Sequence, residues 1–264
     1  MLPVVLVLPF GPLLHWGKAD GGLLKAIALR AGIAAAACAI VAAFFVHGQL
    51  KAVAGVAAAV WIAVGVLLYA YKRWREMPRG RRFPAEMAGM LLAHLGVAVF
   101  VIGVLLSESL SITHDVRLAP GQIEHIAGYD FRFDGVRRTV GPNWHADQGV
   151  VTVLQGGATV ATMRPQKRTY SHEQVQTESA VDAGVFRDLY VALGEPMNAN
   201  NIEGAWALRL YYKPIIRWIW AGGLLMMLGG LVCATDKRFR IKRSARAEAG
   251  AEAADGLQMQ ETRA

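Results

Sequence analysis

The sequence is poor in cysteine and in charge. Its two cysteines, Cys38 and Cys233, both lie inside apolar runs. That excludes a disulfide framework and any CxxC or zinc-ligand pattern. Charged residues are 18% of the 264 positions, whereas an ordinary globular domain has about 25%. Hydrophobic residues reach 54%. These figures exclude a disordered chain, a collagen-like repeat and a coiled coil, and they do not suit a plain soluble domain. The class expected is a membrane protein with a sizeable water-exposed part.

Four apolar stretches can cross a bilayer, which takes about 20 residues. They are residues 31–46, 53–71, 88–106 and 215–234. Trp218 and Trp220 open the last one, where an aromatic belt belongs. Residues 1–11, MLPVVLVLPFG, are apolar but too short to span. They lack the basic start and small-residue cleavage site of a signal peptide, and read as the end of a membrane helix whose beginning is missing. The fold class expected is an integral membrane α-helical bundle of about four spans, plus that truncated helix, with a β-rich domain on one side.

Orientation follows from lysine and arginine in the loops. Six basic residues fall in 72–82, within a loop expected over 72–87. Five more follow the last span, and Lys18, Lys25 and Arg30 fall in a loop expected over 12–30. Only Lys51 lies between the first two spans. The basic loops belong inside, so residues 107–214 belong outside, which in a Gram-negative cell is the periplasm. That segment has ten basic and twelve acidic residues. The net charge of +8 is therefore a topology signal, and nucleic acid is not expected as a partner. Residues 235–264 read as a cytoplasmic disordered tail.

The 107–214 segment alternates with period two. Tyr129, Phe131 and Phe133 alternate with polar residues, as do Leu189, Val191 and Leu193, and Leu208, Leu210 and Tyr212. Gly156-Gly157 signals a hairpin, and residues 180–184 read as a turn. Six to nine strands in a sandwich or small barrel are expected. No catalytic constellation is identified. Asp115, His125 and His145 lack nucleophile–base–orienter spacing, and His114, His125, His145 and His172 read as surface groups.

His94 is the candidate site residue. An ionisable side chain in hydrocarbon is costly and faces a bundle interior or a partner. Neutral imidazole is a good iron ligand. Gly89 and Gly96 are expected on its helix face, where they could admit a planar cofactor or another helix. From the residues alone, three roles stay open: haem ligand, structural hydrogen bond, or proton and quinol chemistry.

Further motifs occur in a fixed order: GPLLHW at 11–16, AHLGVAV at 93–99, GPNWHA at 141–146, RPQKRTY at 164–170, TESAV at 177–181, DLYVALGEP at 188–196, WALRLYYKP at 206–214, IRWIWAGGLLMMLGGL at 216–231 and DKRFR at 236–240. Together they resemble the C-terminal part of the CcmF family of cytochrome c-type biogenesis proteins, the haem lyase component, including its nitrite-reductase assembly homologue. The resemblance covers residues 10 to 240. It implies a bacterial inner-membrane protein that helps attach haem covalently to apocytochrome c on the periplasmic side. It also implies a haem b held by membrane histidines. His94 matches one of those positions, as an axial ligand to the haem iron, with the second ligand expected in a missing N-terminal half. Implied partners are that half, a haem chaperone, apocytochrome c and its thiol-handling membrane proteins, and membrane lipid. The family's tryptophan-rich haem-handling motif is absent here, so His114, His125, His145 and His172 do not inherit the roles of the histidines flanking it. Haem lyase activity of this chain alone is not expected. Two other readings compete: a non-catalytic membrane-anchored docking module, with Tyr190 in its core or on its docking surface, and a small quinol electron-transfer subunit.

Overall fold

The computed structural model describes residues 2–13, 21–46, 48–78, 84–171, 174–198, 201 and 203–235. The expected tail, the basic positions 79–82, His172 and residues 14–16 of GPLLHW lie outside them. Among the described residues four helices are long and apolar enough to cross a membrane: α2 (Gly21–Phe45), α3 (Leu50–Arg75), α4 (Ala85–Leu110) and α5 (Ile216–Ala234). A short α1 (Leu2–Val7) runs into a 3-10 turn over Leu8–Leu13. The chain divides into two compact units, one helical and one built on the β-domain.

The helices are longer than the uncharged runs. α2 starts at Gly21, ten residues ahead of the expected span, so part of the expected 12–30 loop is helical. No proline interrupts 21–45, and a helix satisfies its own backbone through the headgroup region as well as in hydrocarbon. α3 likewise continues to Arg75. Its last turn carries Lys72, Arg73 and Arg75, which complement the negative helix end. α4 begins just after Pro84 with Glu86 in its first turn, both favourable at a helix start.

Within the helical unit, the N-terminal segment lies on α3. Trp61 Nε1 donates to the Leu6 carbonyl at 3.2 Å, and the Phe10 ring meets Trp61 edge-on with centroids 5.6 Å apart. α4 and α5 pack through small residues. A Cβ on Gly96 would stand 2.7 Å from Met226 N and 2.8 Å from the Gly222 carbonyl oxygen. Only glycine allows that approach, the small-residue packing typical of membrane helices. Large apolar residues such as Ile33, Phe44, Leu224 and Leu231 stay exposed, as expected for side chains that meet lipid rather than water.

Among its described residues the β-domain has ten antiparallel strands. β1 (Ile112–Leu118), β10 (Trp206–Pro214), β9 (Arg187–Pro196) and β8 (Ala180–Ala183) form one sheet in that order. The second runs β2 (Ile123–Ile126), β3 (Tyr129–Val140), β4 (Trp144–Gln155), β6 (Gln166–Tyr170) and β7 (Val175–Glu178), with β5 (Ala158–Met163) also paired to β4. Strand number exceeds the expected range because β4 pairs β6 over its first half and β5 over its second. Gly156 and Gly157 make the β4–β5 turn with φ of 58° and 82°, the positive values of a type I′ hairpin. The expected turn at 180–184 is instead strand β8. The reversal falls one step later, where Gly184 N donates to the Arg187 carbonyl at 2.9 Å. Phe131, Phe133, Val151, Leu189, Val191, Trp206 and Leu210 fill the core between the sheets. They are the inward members of the alternating runs.

Candidate functional site

α4 carries His94 about 14 Å from its first residue, at 1.5 Å per residue. The helix presents two faces. Gly89, Gly96 and Gly222 form a seam, together with Gly229, where α4 and α5 touch through backbone. His94 is not on that seam. Two residues of helix rotate about 200°, so Gly96 lies roughly 160° round from His94, and Gly89 roughly 140°. The expectation that these glycines share its face and could admit a cofactor is therefore corrected. They are spent on helix packing, because α5 supplies its own glycines at the matching spacing of seven.

His94 is half-buried. Met87 and Ala98, seven residues before and four after it, share its face and are buried. Its Nδ1 lies 2.8 Å from the Met90 carbonyl oxygen. A carbonyl can only accept, so Nδ1–H donates and the neutral tautomer keeps its lone pair on Nε2. Among the described residues Nε2 has no hydrogen bond. A metal-ligating histidine is oriented in the same way by its other ring nitrogen, and the same bond to the i−4 carbonyl also satisfies a histidine that has only a structural role. The residue fits one axial position of a haem. Among the described residues no group of three or more His, Cys, Asp or Glu could hold a bare metal ion.

The external histidines are not brought together as a site. His114 Nδ1 on β1 lies 2.7 Å from Glu124 Oε1 on β2, the first strands of the two sheets. His125 Nδ1 lies 2.5 Å from Asp130 Oδ1 in the β2–β3 hairpin, and His145 is exposed. Asp115 is engaged by Arg209 Nε and, at 2.9 Å, by Arg209 Nη2. That hydrogen bond holds its carboxyl below the ordinary 3.8. Tyr190 is half-buried on the outer face of β9, edge-on to Tyr211 with centroids 6.3 Å apart. Lys213 Nζ sits 5.1 Å from the centre of the Tyr190 ring. Tyr190 is thus outside the core, because Leu189 and Val191 take the inward positions on either side. Burial, then the charge of Asp188, pushes its phenol up.

Sequence reasoning missed the joint between β10 and α5. Ile215 has φ 44°, uncommon and strained for a β-branched residue. Its N–H donates to the Phe186 carbonyl at 2.8 Å. Trp218 Nε1 donates to the Val185 carbonyl at 3.1 Å. Arg217 Nε reaches the buried Asp188 at 3.3 Å. The only sequence signal was Asp188 beside an otherwise apolar strand, and its partner lies 29 residues away.

Residues 109–214 match the family model described as the CcmF C-terminal beta-sandwich. The cytochrome c-type biogenesis protein CcmF of Escherichia coli (strain K12) is 38% identical over 243 residues, which is 91% of this chain and 36% of that protein. The chain belongs to the CcmF family. The CcmF of Pseudomonas aeruginosa is 49% identical over 155 residues, 58% of this chain and 23% of that protein. A solved structure titled Cytochrome c Heme Lyase CcmF superposes with a TM-score of 0.73 at 21% identity, covering 87% of this chain and 38% of that one. That likeness establishes a shared fold: membrane helices with a β-rich domain. The chain spans a little over a third of the length of the CcmF of Escherichia coli.

Proposed function

We propose that this CcmF-family chain contributes to haem attachment on apocytochrome c, with His94 as one axial ligand of a haem b. The observation that carries the ligand role is the Nδ1–Met90 contact at 2.8 Å, which leaves Nε2 as the available lone pair. Such a haem would supply a redox-active iron, and the chain orients the imidazole that would meet it. The second axial ligand comes from outside the described residues, in the portion that CcmF relatives have beyond this chain. A haem chaperone, apocytochrome c and thiol-handling membrane proteins are the partners this role requires. The basic segment 72–82 and the near-balanced charge of 107–214 support a β-domain in the periplasm and a C-terminus in the cytoplasm.

The test uses the full chain in detergent with ferric haem and added imidazole as a stand-in for the second ligand. A low-spin b-type spectrum is expected for the wild type at imidazole concentrations too low to convert protein-free haem in the same detergent, and is lost in His94→Ala. Insertion into the membrane is unchanged, because the span becomes more apolar. A wild-type spectrum in His94→Ala overturns the ligand assignment. Reporter fusions at Gly157 and after Lys242 test the topology. Periplasmic and cytoplasmic readouts are expected in that order, and a cytoplasmic one at Gly157 refutes it.

A further inference from the structure

Arg30 is an unusual residue in its position. It immediately precedes the uncharged run that begins at Ala31, so it sits at the edge of the hydrocarbon rather than in open water. It is seven residues, or about 10 Å, along α2 from Leu23. Among the described residues it makes no hydrogen bond or ion pair. A cation at that depth needs a partner or a route to the headgroups.

What it opens onto is a cavity of about 370 Å³ between the antiparallel ends of α2 and α3. One wall is apolar, from Leu23, Ile27 and Leu68; Arg30, Lys72 and Arg75 supply three cations to it. Among the described residues its one carboxylate, Glu76, sits 3.5 Å from Lys72 in an i,i+4 pair. Arg75 lies over the Tyr71 ring, 5.8 Å from its centre. The described lining therefore carries a surplus of two positive charges. The residue three positions deeper along α2, Ile33, is on the same helix face as Arg30 and 62% exposed. Cations at headgroup level above an exposed aliphatic stripe match a molecule with a phosphate at one end and an acyl chain at the other.

We infer that the α2–α3 cavity is a binding site for one anionic glycerophospholipid. Its phosphate lies among Arg30, Lys72 and Arg75, and an acyl chain runs along the face marked by Ile33. Basic pockets between membrane helices are suited to such headgroups. Arg30 is the selective element, because Lys72 already has Glu76 as a neighbour whereas Arg30 has no ion pair among the described residues.

Native mass spectrometry of the full chain, released from detergent after incubation with phosphatidylglycerol or phosphatidylcholine, tests this. Preferential retention of phosphatidylglycerol is expected. The paired variant Arg30→Gln with Arg75→Gln should lose roughly tenfold or more of it. The matched pair Lys25→Gln with Arg73→Gln removes the same charge from the same two helices outside the cavity, and should retain the lipid like the wild type. Equal loss in both pairs would show a diffuse charge effect and overturns the site. So does equal retention of phosphatidylcholine. Displacement of the lipid by glycerol phosphate would assign the cavity to a soluble anion and also overturns the proposal.

Discussion

Replacing Gly96 by alanine adds one methyl group to the α4–α5 seam. Its carbon would stand 2.7 Å from Met226 N and 2.8 Å from the Gly222 oxygen, against an ordinary contact beginning at 3.4 Å. The nearest atoms are backbone, so no side chain can swing away and the helices must part. A gap of about 0.5–1 Å forfeits a quarter to a half of the dispersion energy across it, and overpacking costs about 1–3 kcal/mol. Gly223→Ala is the control: a Cβ there meets nothing within 4 Å, and alanine is the better helix former by about 1 kcal/mol. Unfolding of the full chain by increasing SDS in mixed micelles, followed by circular dichroism, should show Gly96→Ala lowered and Gly223→Ala unchanged or raised. Because His94 is on the other face, Gly96→Ala should keep the imidazole-dependent haem spectrum while folded. Equal midpoints for the two variants would refute the seam, and a lost spectrum at unchanged stability would refute the separation of faces.

In the β-domain, Phe133→Ala removes a fully buried ring and should destabilise the full chain by about 3–5 kcal/mol, read from thermal melting. Tyr190→Ala, on the outer face, should cost clearly less than Phe133→Ala in the same melts; an equal loss would put Tyr190 back in the core. Asp115 has its carboxyl held below the ordinary 3.8 by Arg209, so its stabilising effect is complete above that value and disappears as pH falls through the lowered one. Asp115→Asn should therefore lie slightly below wild type at neutral pH and converge with it in acid. Salt should narrow the gap, since both groups are exposed.

The helices were legible because about 20 apolar residues in a row have few alternatives. Their ends were not. The apolar run stops at Ala31, yet α2 reaches back to Gly21, since helix continuation depends on backbone hydrogen bonds and not on hydrophobicity. The sheet faces were equally legible: Phe131 and Phe133, or Leu189 and Val191, point inward as their spacing requires. Partnership was not. Whether Asp188 finds Arg217, or β4 divides its edge between β5 and β6, depends on contacts distant in sequence. The error at His94 has a geometric origin. A spacing of seven correctly put Gly89 and Gly96 on one face, but His94, two residues from Gly96, is turned almost to the opposite side.

That turn resolves a conflict in the requirements on α4. A helix that packs backbone to backbone on a neighbour cannot also present a cofactor on the same face, because the close approach leaves no volume there. With glycines on one side and histidine on the other, the proposed ligand role does not compete with helix packing, and the packed seam limits rotation of α4 and so the direction in which Nε2 points. The hydrogen bond to Met90 then fixes the ring itself. Among the described residues the imidazole makes no other hydrogen bond, so one polar group is oriented in an apolar span by the helix that carries it. At the other end of the chain's topology the same economy holds for α5. Its first turn is tied to the β8–β9 loop by Ile215 and Trp218, and to Asp188 on β9 by Arg217. The strained φ of Ile215 persists because those three contacts determine the chain's path on either side of it.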